Sequence, residues 1–152
     1  MLKYRSSYIL LLLILLVFQS CKTDYEPINY GQDECDFCRM LITDKRFGSE
    51  IINDKGKVLK FDEVGCMIEY AIAKNYIGDT SQRFLVTDLS EPETFINATS
   101  ALFIENENFR SPMGLNVCAF GDEAASQKFL SENGGNKFNW IELIELVKQR
   151  SM

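Results

Sequence analysis

An α+β fold, built from two ββαβ-like units in tandem and closed by a C-terminal helix, is what this 152-residue chain predicts. Three observations point there. Short apolar runs bounded by turn-forming residues occur in both halves. In each half they lead into a stretch with helical apolar spacing. The two helix entries are also alike, Phe61-Asp62-Glu63 in the first half and Phe120-Gly121-Asp122-Glu123 in the second.

The elements follow in order. "RMLITD" and "SEIIND" are apolar runs flanked by turn-formers, and "KVLKFD" follows the turn "NDKG", so all three are expected as strands of a meander. Asp62 is the expected helix cap. Behind it, "EVGCMIEYAIAKN" places Val64, Met67, Ile68, Ala71 and Ile72 at helical spacing. In the second half "RFLVTD", "ALFIEN" and "NVCAFG" are the strands, and "DEAASQKFLSENGG" is a helix that stops at paired glycines. The last helix, "NWIELIELVKQ", offers Ile141, Ile144 and Leu146, with Trp140, as a packing stripe.

The first twenty residues have the pattern of an export signal. Lys3 and Arg5 precede the eleven-residue apolar run "YILLLLILLVF", whereas a spanning helix needs about 20 residues. Ser20 directly before Cys21 resembles a lipobox, in which the cysteine is acylated and becomes the first mature residue. The organisation expected is therefore a signal peptide over residues 1–20, a lipidated Cys21 with a flexible tether over 21–34, and one domain over 35–152. That places the protein in the bacterial cell envelope, lipid-anchored to a membrane and facing the periplasm. Loss of Lys3 and Arg5 with the signal moves the net charge from −6 to −8. An acidic domain of this kind has no electrostatic basis for binding nucleic acid, and anionic headgroups would repel it. Lipid, not a basic patch, would hold it at the membrane.

The chain contains no histidine and five cysteines. With Cys21 assigned to the anchor, Cys35, Cys38, Cys66 and Cys118 remain. A structural zinc site fits the C-x-x-C of Cys35 and Cys38, but Cys66 and Cys118 stand singly where a second pair is usual. A redox dithiol wants its C-x-x-C at a strand-to-helix turn, and Cys38 leads into an expected strand. Structural disulfides suit an exported protein. A Cu(I) site is the fourth reading, since cuprous copper favours thiolate and thioether donors. Cys38 and Met40, two apart, would leave the same face of a strand with Cα atoms about 6.8 Å apart. A thioether also cannot be lost to a disulfide in an oxidising compartment.

The blocks "CDFCRMLITDKRFGSEI", "KVLKFDEVGCMIEY" and "SPMGLNVCAFGDEAASQKF" resemble, in order and spacing, the three signature blocks of the NosL family. The resemblance spans residues 35–129. Members of that family are lipoproteins that act as copper chaperones for the maturation of nitrous oxide reductase. It implies delivery of Cu(I) toward the copper–sulfide centre of that enzyme, together with a membrane ABC-type assembly complex. It also implies a tandem ββαβ-like fold similar to the organomercury lyases. The family's C-G-M element falls on Cys38-Arg39-Met40, with Arg39 where glycine is usual, and its P-M-G element on Pro112-Met113-Gly114. A histidine ligand found in some accounts of the family has no counterpart here.

The metal ligands expected are therefore Cys38 as charged anchor, Met40 beside it and Met113 from the second half. Cys35 and Cys66 are additional candidates, Cys66 being equally a small buried residue near a helix start. Met67 and Cys118 are expected in the core. No catalytic residue is assigned. Two rival readings stand beside this one. An organomercury-lyase-like thiol enzyme could use Cys38, Cys66 and Asp62, though thioethers contribute nothing to protonolysis. A zinc-stapled interaction domain would bind Zn(II) and lose its fold on chelation.

Overall fold

The computed structural model describes residues 25–151. The expected signal segment and Cys21 lie outside these residues. The first unit comprises β1 (Ser49–Ile52), β2 (Val58–Phe61), α1 (Val64–Ala73) and β3 (Arg83–Thr87), with β4 (Phe95–Asn97) added at its edge. The second comprises β5 (Leu102–Glu105), β6 (Val117–Phe120), α2 (Glu123–Asn133) and β7 (Asn136–Phe138), and α3 (Trp140–Arg150) ends the chain. The strand orders are β2-β1-β3-β4 and β6-β5-β7, every neighbouring pair antiparallel. In both sheets the first strand of the unit lies between the second and third. The tandem ββαβ architecture and the closing helix are thus present.

Local chemistry accounts for the boundaries. Gly56, at φ 76°, closes the β1–β2 turn, where Asn53 Oδ1 accepts from the main-chain N–H groups of Lys55 and Lys57. Asp122 caps α2 by accepting from Ala125 N–H at 2.9 Å, and Gly134, at φ 71°, ends it. Asn139 and Glu142 form a capping box at the start of α3. β4 and β7, three residues each, carry too little periodicity to be seen in the sequence.

Helices α1 and α3 pack on each other, α1 against β1 and β2, α3 against β5 and β7. Phe61, Met67, Ile68, Phe103 and Leu143 are buried in this shared core. A smaller cluster, Phe47, Ile104, Cys118 and Phe120, lies where α2 packs against β5 and β6. Met67 and Cys118 are therefore core residues, as expected. The two sheets touch at Asp88 and Ala119, where Leu89 N–H donates to Ala119 O at 2.8 Å. The packing face of α3 consists of Leu143, Ile144 and Val147, and Ile141 is 72 % exposed. Of the expected stripe, Ile144 is buried and Trp140 and Leu146 pack partly buried against the core, so only Ile141 departs from it.

The largest departure is at residues 39–44. These form no strand, only a bridge between Leu41 and Glu34. Ile42 N–H donates to Asp33 O, and Gly31 N–H to Ile42 O. Cys35 and Met40 close the tip, with Cys35 N–H donating to Met40 O at 2.8 Å. This loop docks on the edge of β2, where Asp36 N–H donates to Lys60 O and Lys60 N–H to the Asp36 carboxylate. The residues just before it are held as well. Ile28 is buried, and the Lys60 ammonium reaches Pro27 O and Asp33. Contact begins earlier still, at Tyr25, whose ring meets that of Phe95 edge-on at 5.5 Å, so residues 25–34 of the expected tether lie against the domain.

Candidate metal centre

β2 ends at Phe61, Asp62 follows, and α1 begins two residues later. The docked loop lies along the β2 edge, which carries Cys35 and Cys38 to Asp62. The first turn of α1 brings Cys66 to the same point. The three Sγ atoms and an Asp62 carboxylate oxygen all lie within 4.8 Å of one another. The four are free thiols and an acid, buried except for Cys38, which is partly exposed.

Asp62 does not cap α1. Glu63 holds the cap position, with no side-chain cap hydrogen bond, and Asp62 turns instead toward the sulfurs. It is 1 % exposed, accepts from Cys38 Sγ at 3.5 Å through Oδ2, and leaves Oδ1 without a partner. A buried carboxylate oxygen with no donor is costly unless a cation or water completes it.

The thiols are unequal. The Cys66 thiol donates to Cys35. Together with the main-chain N–H groups of Asp62, Cys38 and Phe37 it lowers the Cys35 pKa to about 6, against the effect of burial. Burial pushes Cys38 up to about 11, with Cys35 and the Asp62 charge acting in the same direction. Cys66 is raised because its proton is held by Cys35, and burial adds to this. Of the three thiols, Cys35 is therefore the one whose thiolate form the surrounding donors favour. Burial likewise raises Cys118 to about 12, on the far sheet, where its Sγ lies 3.4 Å from Ile104 O.

The expected ligands divide accordingly. Cys35, Cys38 and Cys66 come together, joined by Asp62. Cys38 and Met40 do not share a strand face, because Arg39 between them has φ 66° and breaks the alternation. Met40 is 51 % exposed at the loop tip. Arg39 points to solvent, 4.0 Å from Asp36, and puts no cation among the sulfurs. Its left-handed φ is the physical reason a glycine suits this position. Arg39→Gly should raise stability by about 0.5–1 kcal/mol in urea unfolding and leave metal affinity unchanged. Met113 is 48 % exposed and lines a cleft of about 210 Å³ with Cys66, Glu63 and Gly65, so it approaches from the Cys66 side. Asp62 was legible as an acid before a helix. The signal that it is free for other work is Glu63, a second acid that takes the cap position.

A family model described as NosL matches residues 28–146. The chain belongs to the NosL family. A curated relative, the copper-binding lipoprotein NosL of Stutzerimonas stutzeri, is 24 % identical over 158 residues, covering 93 % of this chain and 82 % of that protein. The crystal structure of the copper chaperone NosL from Shewanella denitrificans superposes with a TM-score of 0.64 at 23 % identity, over 77 % of this chain and 92 % of that one. The family fold is therefore the fold described above, and the thiol–carboxylate cluster lies within the residues the family model matches.

Proposed function

We propose that this protein is a Cu(I) carrier of the bacterial envelope, lipid-anchored at Cys21. It would deliver the ion during assembly of the copper–sulfide centre of nitrous oxide reductase, together with a membrane ABC-type complex. The observation that carries the metal-binding part is the cluster of Cys35, Cys38, Cys66 and Asp62, whose buried Oδ1 lacks a partner. Thiolates are the donors Cu(I) prefers. Family membership and the printed names of the two relatives support copper as the ion and the lipoprotein layout.

The ligand roles follow from the thiol chemistry. Cys35 supplies the resident thiolate, and Cys38, the partly exposed thiol, is where an ion enters and leaves. Cys66 closes the buried side, and Met113 adds a neutral thioether from the cleft. Met40, at the exposed loop tip, stands beside the entrance. The arrangement serves capture and release, so we read the protein as a carrier and not an enzyme.

A second reading has a specific observation behind it. Three thiols and one carboxylate within 4.8 Å also suit a tetrahedral Zn(II) site. Titration of the reduced full chain in detergent against a Cu(I)-specific chromophoric chelator, with a parallel Zn(II) titration, separates the two. The copper reading expects about one Cu(I) per chain, held against the chelator, and zinc displaced by Cu(I). Stoichiometric zinc that Cu(I) does not displace would establish the zinc reading instead.

A further inference from the structure

Asp62 and Glu63 are adjacent acids, both buried, and they face opposite ways. Glu63 has extended backbone, φ −153° and ψ 166°, and successive side chains of an extended segment leave on opposite sides. Asp62 meets the thiols. Glu63, 2 % exposed, meets the loop 111–116 of the second unit, where its Oε2 accepts from Met113 N–H at 3.2 Å. The Ser111 hydroxyl and Leu115 N–H also face this carboxylate. A Cβ on Gly65 would come within 2.9 Å of Glu63 Oε1 and 3.2 Å of Leu115 Cδ2. Glycine at 65 thus leaves the space in which acid and loop meet.

The loop is braced within itself. Gly114 N–H donates to Ser111 O, Asn116 N–H to Ser111 Oγ, and Ser111 N–H to Asn116 Oδ1. From α3, Arg150 donates to Leu115 O at 3.1 Å. A loop stiff in itself and fixed at two points moves as one piece, so its Glu63 contact sets where Met113 stands relative to Cys66. The Met113 side chain is half exposed and shares the cleft with Cys66.

We propose that Glu63 is a positioning residue: it fixes the Met113 loop of the second unit against the thiol cluster of the first, so that the thioether meets the ion on the Cys66 side. This rests on the copper reading above. A thioether is a weak, neutral donor, and its contribution depends on being placed before the ion arrives. Asp62 and Glu63 then divide the work at one strand–helix junction, one facing the thiols and the other holding the methionine.

The test uses the reduced full chain in detergent, labelled with ¹³C-methyl methionine, with the Met113 resonance assigned by its loss in Met113→Leu. In the wild type the Met113 methyl signal should shift when one equivalent of Cu(I) is added. Glu63→Gln, which keeps a side-chain acceptor, should retain that shift. Glu63→Ala should lose it and weaken Cu(I) binding by about tenfold, the scale of one hydrogen-bonded contact. Combining Glu63→Ala with Met113→Leu should weaken binding no further than either alone. Should Glu63→Ala fail to fold, Glu63→Asp, one methylene short, should show the same loss. A wild-type Met113 methyl that stays still while Cu(I) binds overturns this inference and leaves the copper reading standing, and so does a Glu63→Ala or Glu63→Asp protein with the wild-type shift and affinity. A wild type that takes up no Cu(I) overturns both.

Discussion

Cys35→Ser should abolish tight Cu(I) binding, with a loss of about 3 kcal/mol or roughly a hundredfold, while Cys118→Ser should leave affinity unchanged. Apparent binding energies of about 10–16 kcal/mol for four-ligand structural zinc sites put one ligand near 3 kcal/mol. The assignment turns on which sulfur carries the charge. Spacing alone favours Cys38, but the structure places Cys35 among four donors and lowers its pKa to about 6, whereas Cys38 is pushed up to about 11. A serine hydroxyl cannot take over, because it does not ionise near neutral pH. Cys38→Ser should slow loading and unloading more than it weakens equilibrium binding, since the partly exposed thiol is the point of entry. The measurement is a chelator competition together with stopped-flow transfer. If Cys38→Ser removes binding and Cys35→Ser is silent, the resident thiolate is not the anchor.

Glu50 alone should lower the stability of the domain by about 3 kcal/mol as pH rises from 4.5 to 7, and Glu50→Gln should remove that part of the dependence. Glu50 lies on β1, 0 % exposed, and no side chain donates to either carboxylate oxygen, only the Glu26 main chain facing them. Burial raises its pKa to about 7, and Lys60, its partner across the β1–β2 pair, offsets this only in part. The Lys60 ammonium is directed to Pro27 O and Asp33 instead. A carboxyl whose pKa is raised on folding binds its proton more tightly in the native state. Its stabilising contribution is therefore complete below the unfolded value, near 4.5, and lost as pH rises through about 7. Glu63 is also raised and Cys35 lowered, so the difference between wild-type and Glu50→Gln urea curves, not either curve alone, isolates this residue. Parallel curves across pH 4.5–7.5 would mean that Glu50 is ionised in the folded protein.

Much of this molecule is determined by local sequence chemistry. The "NDKG" turn, the Asp122 cap, the Gly134 stop and the helical spacing of Val64, Met67, Ile68 and Ala71 each specify their element within a few residues. The repeated entry into a helix is enough to predict two like units, and both sheets place the first strand of the unit between its second and third, with β4 an extra edge strand on the first. The sulfur-rich composition without histidine points to a soft-metal site, and the signature blocks name the family. What lay beyond reach was anything set by neighbours distant in the chain. Periodicity says that a residue is apolar on one face, but not which loop will dock beside it. The strand expected at "RMLITD" became a loop because its main-chain groups pair with residues 31–35 and because Arg39 adopts a left-handed φ. Asp62 has the sequence position of a cap. It became a member of the cluster only because the β2 edge receives Cys35 and Cys38, while Glu63 takes the cap position and turns to the second unit. The order of thiol acidities, and with it the choice of anchor, arises from burial and from hydrogen bonds among residues 35, 37, 38, 62 and 66. Those bonds exist only once the chain has folded, because a pKa depends on the donors and burial that tertiary packing brings to a group.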